Sequence, residues 1–194
     1  PLNPAGDQHA GGQCRDALQN YRGINLHIGE QVTSGTDNRH AIALDVDVDG
    51  DLDVAWSRGG QIYWSANDGS GSFAIPIQLV TSNGSFVKGM CAGDIDGDGD
   101  LDVASITSST LEWCENLGSG FWGQASVIAS GIATGEAVAL ADLDGDGDQD
   151  VIAAEDQTDE VFWWQNDGAG NFIFGGLVGI IDAPTSLGLS DFDG

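Results

Sequence analysis

Basic side chains are what this sequence has least of. Five Lys and Arg stand against 31 Asp and Glu, a net charge of −26 over 194 residues. A nucleic-acid binder needs a basic footprint, so a general one is excluded, and the charge also argues against docking on anionic lipid by a polybasic patch. No apolar run reaches about 18 residues, the length a helical span requires, so no membrane insertion is expected. The three cysteines, Cys14, Cys91 and Cys114, are far apart and form no CxxC pair. That spacing argues against a zinc or thioredoxin-like site. It leaves open one disulfide with one leftover thiol, or three buried small side chains. The three histidines, His9, His27 and His40, sit in no HExxH motif. His40, beside Arg39 and ahead of a strand, reads as a surface residue. There is no G-x-S-x-G elbow and no Walker loop, and Lys88 is the only lysine. No catalytic constellation emerges, so a non-enzyme is expected.

Acidity of this degree can signal disorder. Here 41% of residues are hydrophobic and six are Trp, enough for a folded core. The chain opens "PLNPAGDQHA", with neither Met nor a leader pattern, and reads as processed or cut from something longer.

What the chain does have is a repeated acidic segment. "DVDVDGDLDV" begins at Asp45, "DIDGDGDLDV" at Asp94, "DLDGDGDQDV" at Asp142, and "DFDG" at Asp191. A near-constant period of about 49 residues marks a repeat architecture. A Trp three residues before an Asn keeps step: Trp64 with Asn67, Trp113 with Asn116, Trp163 with Asn166. Asn20 falls at a matching distance before Asp45, with Ala17 in the Trp position. The resulting division is a degenerate or partial repeat over 1–39, repeats over 40–89, 90–137 and 138–185, and the start of another over 186–194.

Between these markers the pattern has period two. Leu52, Val54 and Trp56 alternate, as do Ile62, Trp64 and Ala66, and then Phe73, Ile75, Ile77 and Leu79. Such alternation bounded by Gly, Asn and Asp predicts half-buried strands. Pro76 predicts an edge position for the third run, because proline cannot donate to a ladder. The runs "AIAL", "GMCAG", "AVALA" and "LGLS" precede the acidic loops, and their small residues suit a crowded central strand. "NDGSG" and "NDGAG" supply a tight turn after the third strand of a repeat. The expected fold is all-β, with β-propeller-type blades of four antiparallel strands. The acidic loop joins the first strand to the second, and the chain is expected to be part of a larger ring or assembly.

Each acidic loop reads D-x-D-x-D-G-D-x-D. Carboxylates at the first, third and fifth positions converge when the loop curls, and Gly at the sixth permits the turn. Hard oxygen ligands in a flexible shell are what Ca²⁺ takes; Mg²⁺ fits less well, and Zn²⁺ lacks His or Cys. The candidate ligands are Asp45, Asp47, Asp49, Asp51 and Asp53; Asp94, Asp96, Asp98, Asp100 and Asp102; Asp142, Asp144, Asp146, Asp148 and Asp150; and, in a partial fourth site, Asp191 and Asp193. An EF-hand would need Glu at position 12 and flanking helices. Trp56, Ser105 and Ala153 stand there instead, within strand-like sequence.

These loops resemble the FG-GAP/VCBS repeats of integrin-α-like β-propellers. The resemblance rests on Asp45-x-Asp47-x-Asp49-Gly50-x-x-Asp53 and its two counterparts, from Asp94 to Asp102 and from Asp142 to Asp150. Apolar residues follow: Leu52 with Val54, Leu101 with Val103, and Val151. It implies an extracellular location, seven blades in the commonest members, and one Ca²⁺ in the first loop of each such blade. Too few repeats are present for seven blades.

The expected function is an extracellular, calcium-stabilised module for adhesion, surface recognition or assembly. Its partner would be a protein or glycan on a cell surface or matrix, with self-association through open ends also open. The alternatives are a carbohydrate-binding lectin, a filament subunit, or a non-catalytic segment of a secreted enzyme. Trp64, Trp113 and Trp163 recur in register and read as blade-to-blade packing. Trp122 and Trp164 fall outside that register and read as exposed aromatics for sugar stacking. Asn83 begins an N-glycosylation sequon, Asn83-Gly84-Ser85.

Overall fold

The structure is a computed structural model in which residues 38–81 and 85–190 are described. They form twelve strands and no helix. The first sheet holds β1 (Asn38–Leu44), β2 (Asp53–Arg58), β3 (Gln61–Ser65) and β4 (Ile77–Thr81). The second holds β5 (Val87–Gly93), β6 (Asp102–Thr107), β7 (Thr110–Cys114) and β8 (Ser126–Ser130). The third holds β9 (Gly135–Ala141), β10 (Asp150–Glu155), β11 (Glu160–Asn166) and β12 (Phe172–Ile180). Each sheet is an antiparallel meander in chain order, so each sequence repeat is one four-stranded blade. The sheets start at Asn38, Val87 and Gly135, a few residues ahead of the repeat boundaries read from the sequence.

The blades stack face to face. Ile42, Leu44, Ala55, Ile62 and Trp64 of blade 1 share a core with Val87, Met90, Val103 and Cys114 of blade 2. Cys91, Ala104, Ile106, Leu111 and Trp113 of blade 2 share the next with Val138, Val151, Ala153 and Trp164 of blade 3. This explains a contrast in the second strands. β2 is buried at alternate residues, whereas β6 and β10 are buried at every residue. A strand covered on both faces cannot alternate, and between its polar ends its sequence is small or apolar: Val103, Ala104, Ser105 and Ile106 in β6, Val151 to Ala154 in β10. β5 lies close beside β9: a Cβ on Gly89 would come within 3.2 Å of the Ala137 Cα. This accounts for the small residues of the inner strands.

Three local expectations change. The run from Phe73 to Leu79 is not one strand: Phe73 forms an isolated bridge with Asn67, and β4 begins at Ile77. β4 is an edge strand, and Pro76 lies just before it, where its missing N–H costs no ladder bond. His40 lies within β1, half-buried, and donates its N–H to Ser57 Oγ at 3.2 Å. Leu187 and Leu189 pack on the core of blade 3, but residues 184–190 do not join its sheet. Cys91 and Cys114 are buried thiols in separate core clusters, not joined to each other. The degenerate repeat, with Cys14, lies outside the described residues, as do Asn83, Asp191 and Asp193.

Candidate metal centres

Each acidic loop spans the gap between the innermost strand of a blade and its second strand. Gly50, Gly99 and Gly147, at the sixth position, have φ of 95°, 96° and 101°, and so make the turn that an L side chain resists. The fourth position also turns left-handed. Gly97 and Gly145 occupy it in the second and third loops, but Val48 does so in the first, at φ 60°. A β-branched residue is strained there.

The carboxylates divide the work. The first-position side chains draw the loop around themselves. Asp94 accepts the N–H groups of Gly97 and Gly99 at 2.9 and 3.2 Å, and Asp142 accepts those of Gly145 and Gly147 at 2.7 and 3.1 Å. Asp45 accepts those of Asp49 and Gly50 at 3.1 and 3.0 Å. The ninth-position residues, Asp53, Asp102 and Asp150, open the second strand and are fully buried. Each ties the loop to the far side of its blade. Asp102 accepts the Ile95 N–H at 2.9 Å and the Asn116 N–H at 2.8 Å. Asp53 accepts from Val46 and Asn67, and Asp150 from Leu143 and Asn166. The Trp64 indole adds a third donor to Asp53 at 3.2 Å.

Ligand oxygens of Asp45, Asp47 and Asp53 lie within 4.8 Å of one another, as do those of Asp94, Asp96 and Asp102. In the third loop the group is Asp142, Asp144 and Asp146 instead, all exposed. Asp49 and Asp98 each accept an N–H within their own loop, from Asp51 and Asp100. The seventh-position side chains, Asp51, Asp100 and Asp148, lie against Gly69, Gly118 and Gly168 in the β3–β4, β7–β8 and β11–β12 turns. They take those places as packing groups.

The electrostatics fit a missing positive charge. Asp47, Asp96 and Asp144, all at the third position, are held above the usual carboxylate range, first by lost hydration and then by neighbouring carboxylates. Burial pushes Asp102 up to about 7. Asp47 Oδ1 is buried with no hydrogen-bond partner. Stranded oxygen is costly unless something binds it, and a hard cation at the convergent oxygens would meet that need. Asp45, Asp47 and Asp53, with their second-loop counterparts, would hold it. A carboxylate has about four lone-pair sites, so the ninth-position Asp can accept two N–H groups and still ligate. By contrast, Asp68 and Asp167 lie below the usual range. Ser70, chiefly through its hydroxyl, and the Ala169 N–H bond them as turn caps.

The asparagines that marked the repeat have a role that sequence spacing alone does not show. Asn116 Nδ2 donates to the Leu101 carbonyl of its own loop at 3.3 Å and to the Val46 carbonyl of the preceding blade's loop at 2.9 Å. Asn166 Nδ2 does the same with Gln149 at 3.1 Å and Ile95 at 2.6 Å. Their fixed distance from the next acidic loop was the available signal.

The proposed sugar platforms need correction. Trp164 is 7% exposed, enclosed between blades 2 and 3. Its side chain takes the inward face that Cys114 takes in blade 2. Trp122 is half-buried against Trp64, with ring centroids 6.5 Å apart. It also recurs: Phe73 and Trp122 make the same bridge to Asn67 and Asn116, and Phe172 pairs with Asn166. Trp164 is a core group, and Trp122 is a half-buried ring packed against the core.

Comparison with known proteins agrees with this geometry. The FG-GAP-like repeat pattern matches residues 45–105, 94–153 and 142–194. Among solved structures, the chain is similar to a lectin of Agrocybe aegerita described as recognising non-reducing terminal N-acetylglucosamine. The two share 24% identity with a TM-score of 0.57, over 71% of this chain and 37% of the lectin. The chain thus spans little more than a third of that lectin's length. It is also similar to a Photorhabdus luminescens Tc holotoxin pore, at 21% identity and a TM-score of 0.43, over 77% of this chain and 7% of that one. The lectin likeness speaks to the fold alone. Comparison with curated proteins gives no match. Three matched repeats, each one a four-stranded propeller blade with its acidic loop, place the chain in the FG-GAP-like repeat family.

Proposed function

We propose that this chain is a calcium-stabilised segment of a β-propeller that acts outside the cell as a recognition module and carries out no chemistry of its own. The observation that carries this reading is the pair of half-buried triads, Asp45, Asp47, Asp53 and Asp94, Asp96, Asp102, with the stranded Asp47 oxygen. Ca²⁺ supplies the charge that these carboxylates lack, and its role is structural. It fixes the entry to each second strand and hence the stacking of blades. Extracellular Ca²⁺ modules work at Kd of roughly 10⁻⁴ to 10⁻³ M, which suits a site that is always filled outside the cell. The partner is a protein or glycan presented on a surface or matrix.

A narrower reading, a lectin, is suggested by what the Agrocybe aegerita protein binds, although the likeness itself carries the fold alone. Trp164 no longer supports it, being enclosed between blades 2 and 3, and Trp122 is half-buried against Trp64. One experiment separates the two. Calorimetric titration with Ca²⁺ is followed by screening the loaded chain on a glycan array that includes terminal N-acetylglucosamine. Ca²⁺ uptake without glycan binding favours a protein partner, and selective glycan binding favours the lectin. No Ca²⁺ uptake contradicts both.

A further inference from the structure

The second-position residue of each loop lies between the ligands at positions one and three. In the first two loops both of its backbone groups are fixed. Val46 gives its N–H to Asp53 at 3.0 Å and receives Asn116 of the next blade on its carbonyl. Ile95 gives its N–H to Asp102 and receives Asn166 in the same way. Their side chains are enclosed by that next blade, Val46 at 0% and Ile95 at 1% exposure. The third loop shares the first of these bonds. Leu143 also gives its N–H to its ninth-position Asp, at 3.0 Å. Among the described residues no later asparagine reaches it, and its side chain is 43% exposed. In that loop the ninth-position oxygens fall outside the convergent group.

We propose, resting on the cation-binding reading of these loops, that Asn116 and Asn166 are positioning residues for the loop of the preceding blade. Each clamps the peptide that spaces the first and third carboxylates, so each blade completes its neighbour's cation site. Preorganisation of this kind raises affinity by lowering the ordering cost of binding. Cation binding and blade docking are therefore coupled, and the coupling is reciprocal. In the third loop Gln165 Nε2 donates to Asp144 Oδ2, where Ala66 and Glu115 stand in the other repeats.

The test uses the full chain and Tb³⁺ as a luminescent Ca²⁺ surrogate, with Ca²⁺ calorimetry in parallel. Trp64 donates to Asp53, so Trp64 lies beside the first loop and can sensitise Tb³⁺ there, and the part of the signal lost in Asp47→Asn is assigned to that loop. Asn116→Ala should weaken the first-loop site by about tenfold or more, the range seen when an outer-shell partner of a metal ligand is removed. Asn67→Ala is the comparison, because among the described residues Asn67 Nδ2 reaches only the Leu52 carbonyl of its own loop. It should weaken the same site less. First-loop affinity unchanged in a folded Asn116→Ala chain overturns the clamp. If that variant does not fold, Asn166→Ala, at the other blade interface, decides. The clamp requires its second-loop site to weaken by about tenfold, and an unchanged second-loop affinity overturns it. An unaltered chain that takes up neither Tb³⁺ nor Ca²⁺ overturns instead the cation reading beneath it.

Discussion

The indole of Trp113 in blade 2 lies over Gly170 of blade 3 so closely that a Cβ there would meet its Cζ2 at 2.2 Å. Trp64 and Gly120 repeat the relationship one blade earlier, at 2.8 Å. Gly71 holds the same place in blade 1 with nothing among the described residues within 4 Å, and all three are left-handed, at φ 71°, 78° and 85°. Gly170→Ala and Gly120→Ala therefore meet both a backbone penalty and an overpacked blade interface. They should lower unfolding free energy by about 2–4 kcal/mol. Gly71→Ala meets the backbone penalty alone, about 1 kcal/mol. Urea denaturation of the three variants checks the order, and equal losses would contradict it.

Val48 sits exposed at φ 60°, where the other two loops use glycine. Val48→Gly relieves the strain without removing a core group. It should stabilise the chain by about 1 kcal/mol, since the left-handed conformation costs an L residue about that much. A thermal melt reads this directly, and a lower midpoint would show that the strain is not borne at this residue.

Asp102 sets the pH response of the metal-free chain. In the fold, burial holds its carboxyl up to about 7, well above the 3.8 of an ordinary Asp. The folded chain keeps a proton that the unfolded chain releases, so this contribution is full below the unfolded value and is lost as pH rises through about 7. The urea midpoint in metal-free buffer should therefore be higher at about pH 5 than at about pH 7.5. Saturating Ca²⁺ should reduce or reverse the difference, because the cation stabilises the ionised form. A metal-free midpoint that rises with pH would contradict the assignment.

Cys114 is buried between blades 1 and 2, and its thiol is pushed up to about 12, chiefly by that burial. A thiol held protonated and enclosed is a poor nucleophile. Iodoacetamide should leave Cys114 unmodified in the native chain at neutral pH and label it once denaturant is added. Peptide mass spectrometry distinguishes the two, and rapid native labelling would mean that the interface opens.

Much of this architecture is written at single-blade scale. The alternation of Ile62 and Trp64, the turn after Asn67 and the D-x-D-x-D-G loops each depend on local geometry, and each is visible in a few residues. What the sequence hid lies between blades. Trp164 reads as an exposed aromatic because its partners, among them Cys91 and Ile95, are some seventy positions away and in another sheet. Trp122 reads as unique because the recurring property at its position is an aromatic ring, not a tryptophan. The loops contain five carboxylates each, but their roles separate only in three dimensions. Asp102 is anchored by two backbone donors, Asp100 is packed on Gly118, and Asp96 faces the convergent oxygens.

In the proposed function a hard cation holds each acidic loop closed between neighbouring strands. At ~2 mM Ca²⁺ and Kd ~0.1 mM, each of the first two loops gains about 1.8 kcal/mol. Their sum, about 3.6 kcal/mol, corresponds to about 7–14 °C in a domain of this size. The direct measurement is the melting temperature of the full chain in ~2 mM Ca²⁺ against the same buffer with excess chelator. A fall of roughly that size on chelation is the predicted result. An unchanged melt would show that the loops are held by their own hydrogen bonds and that no cation is needed.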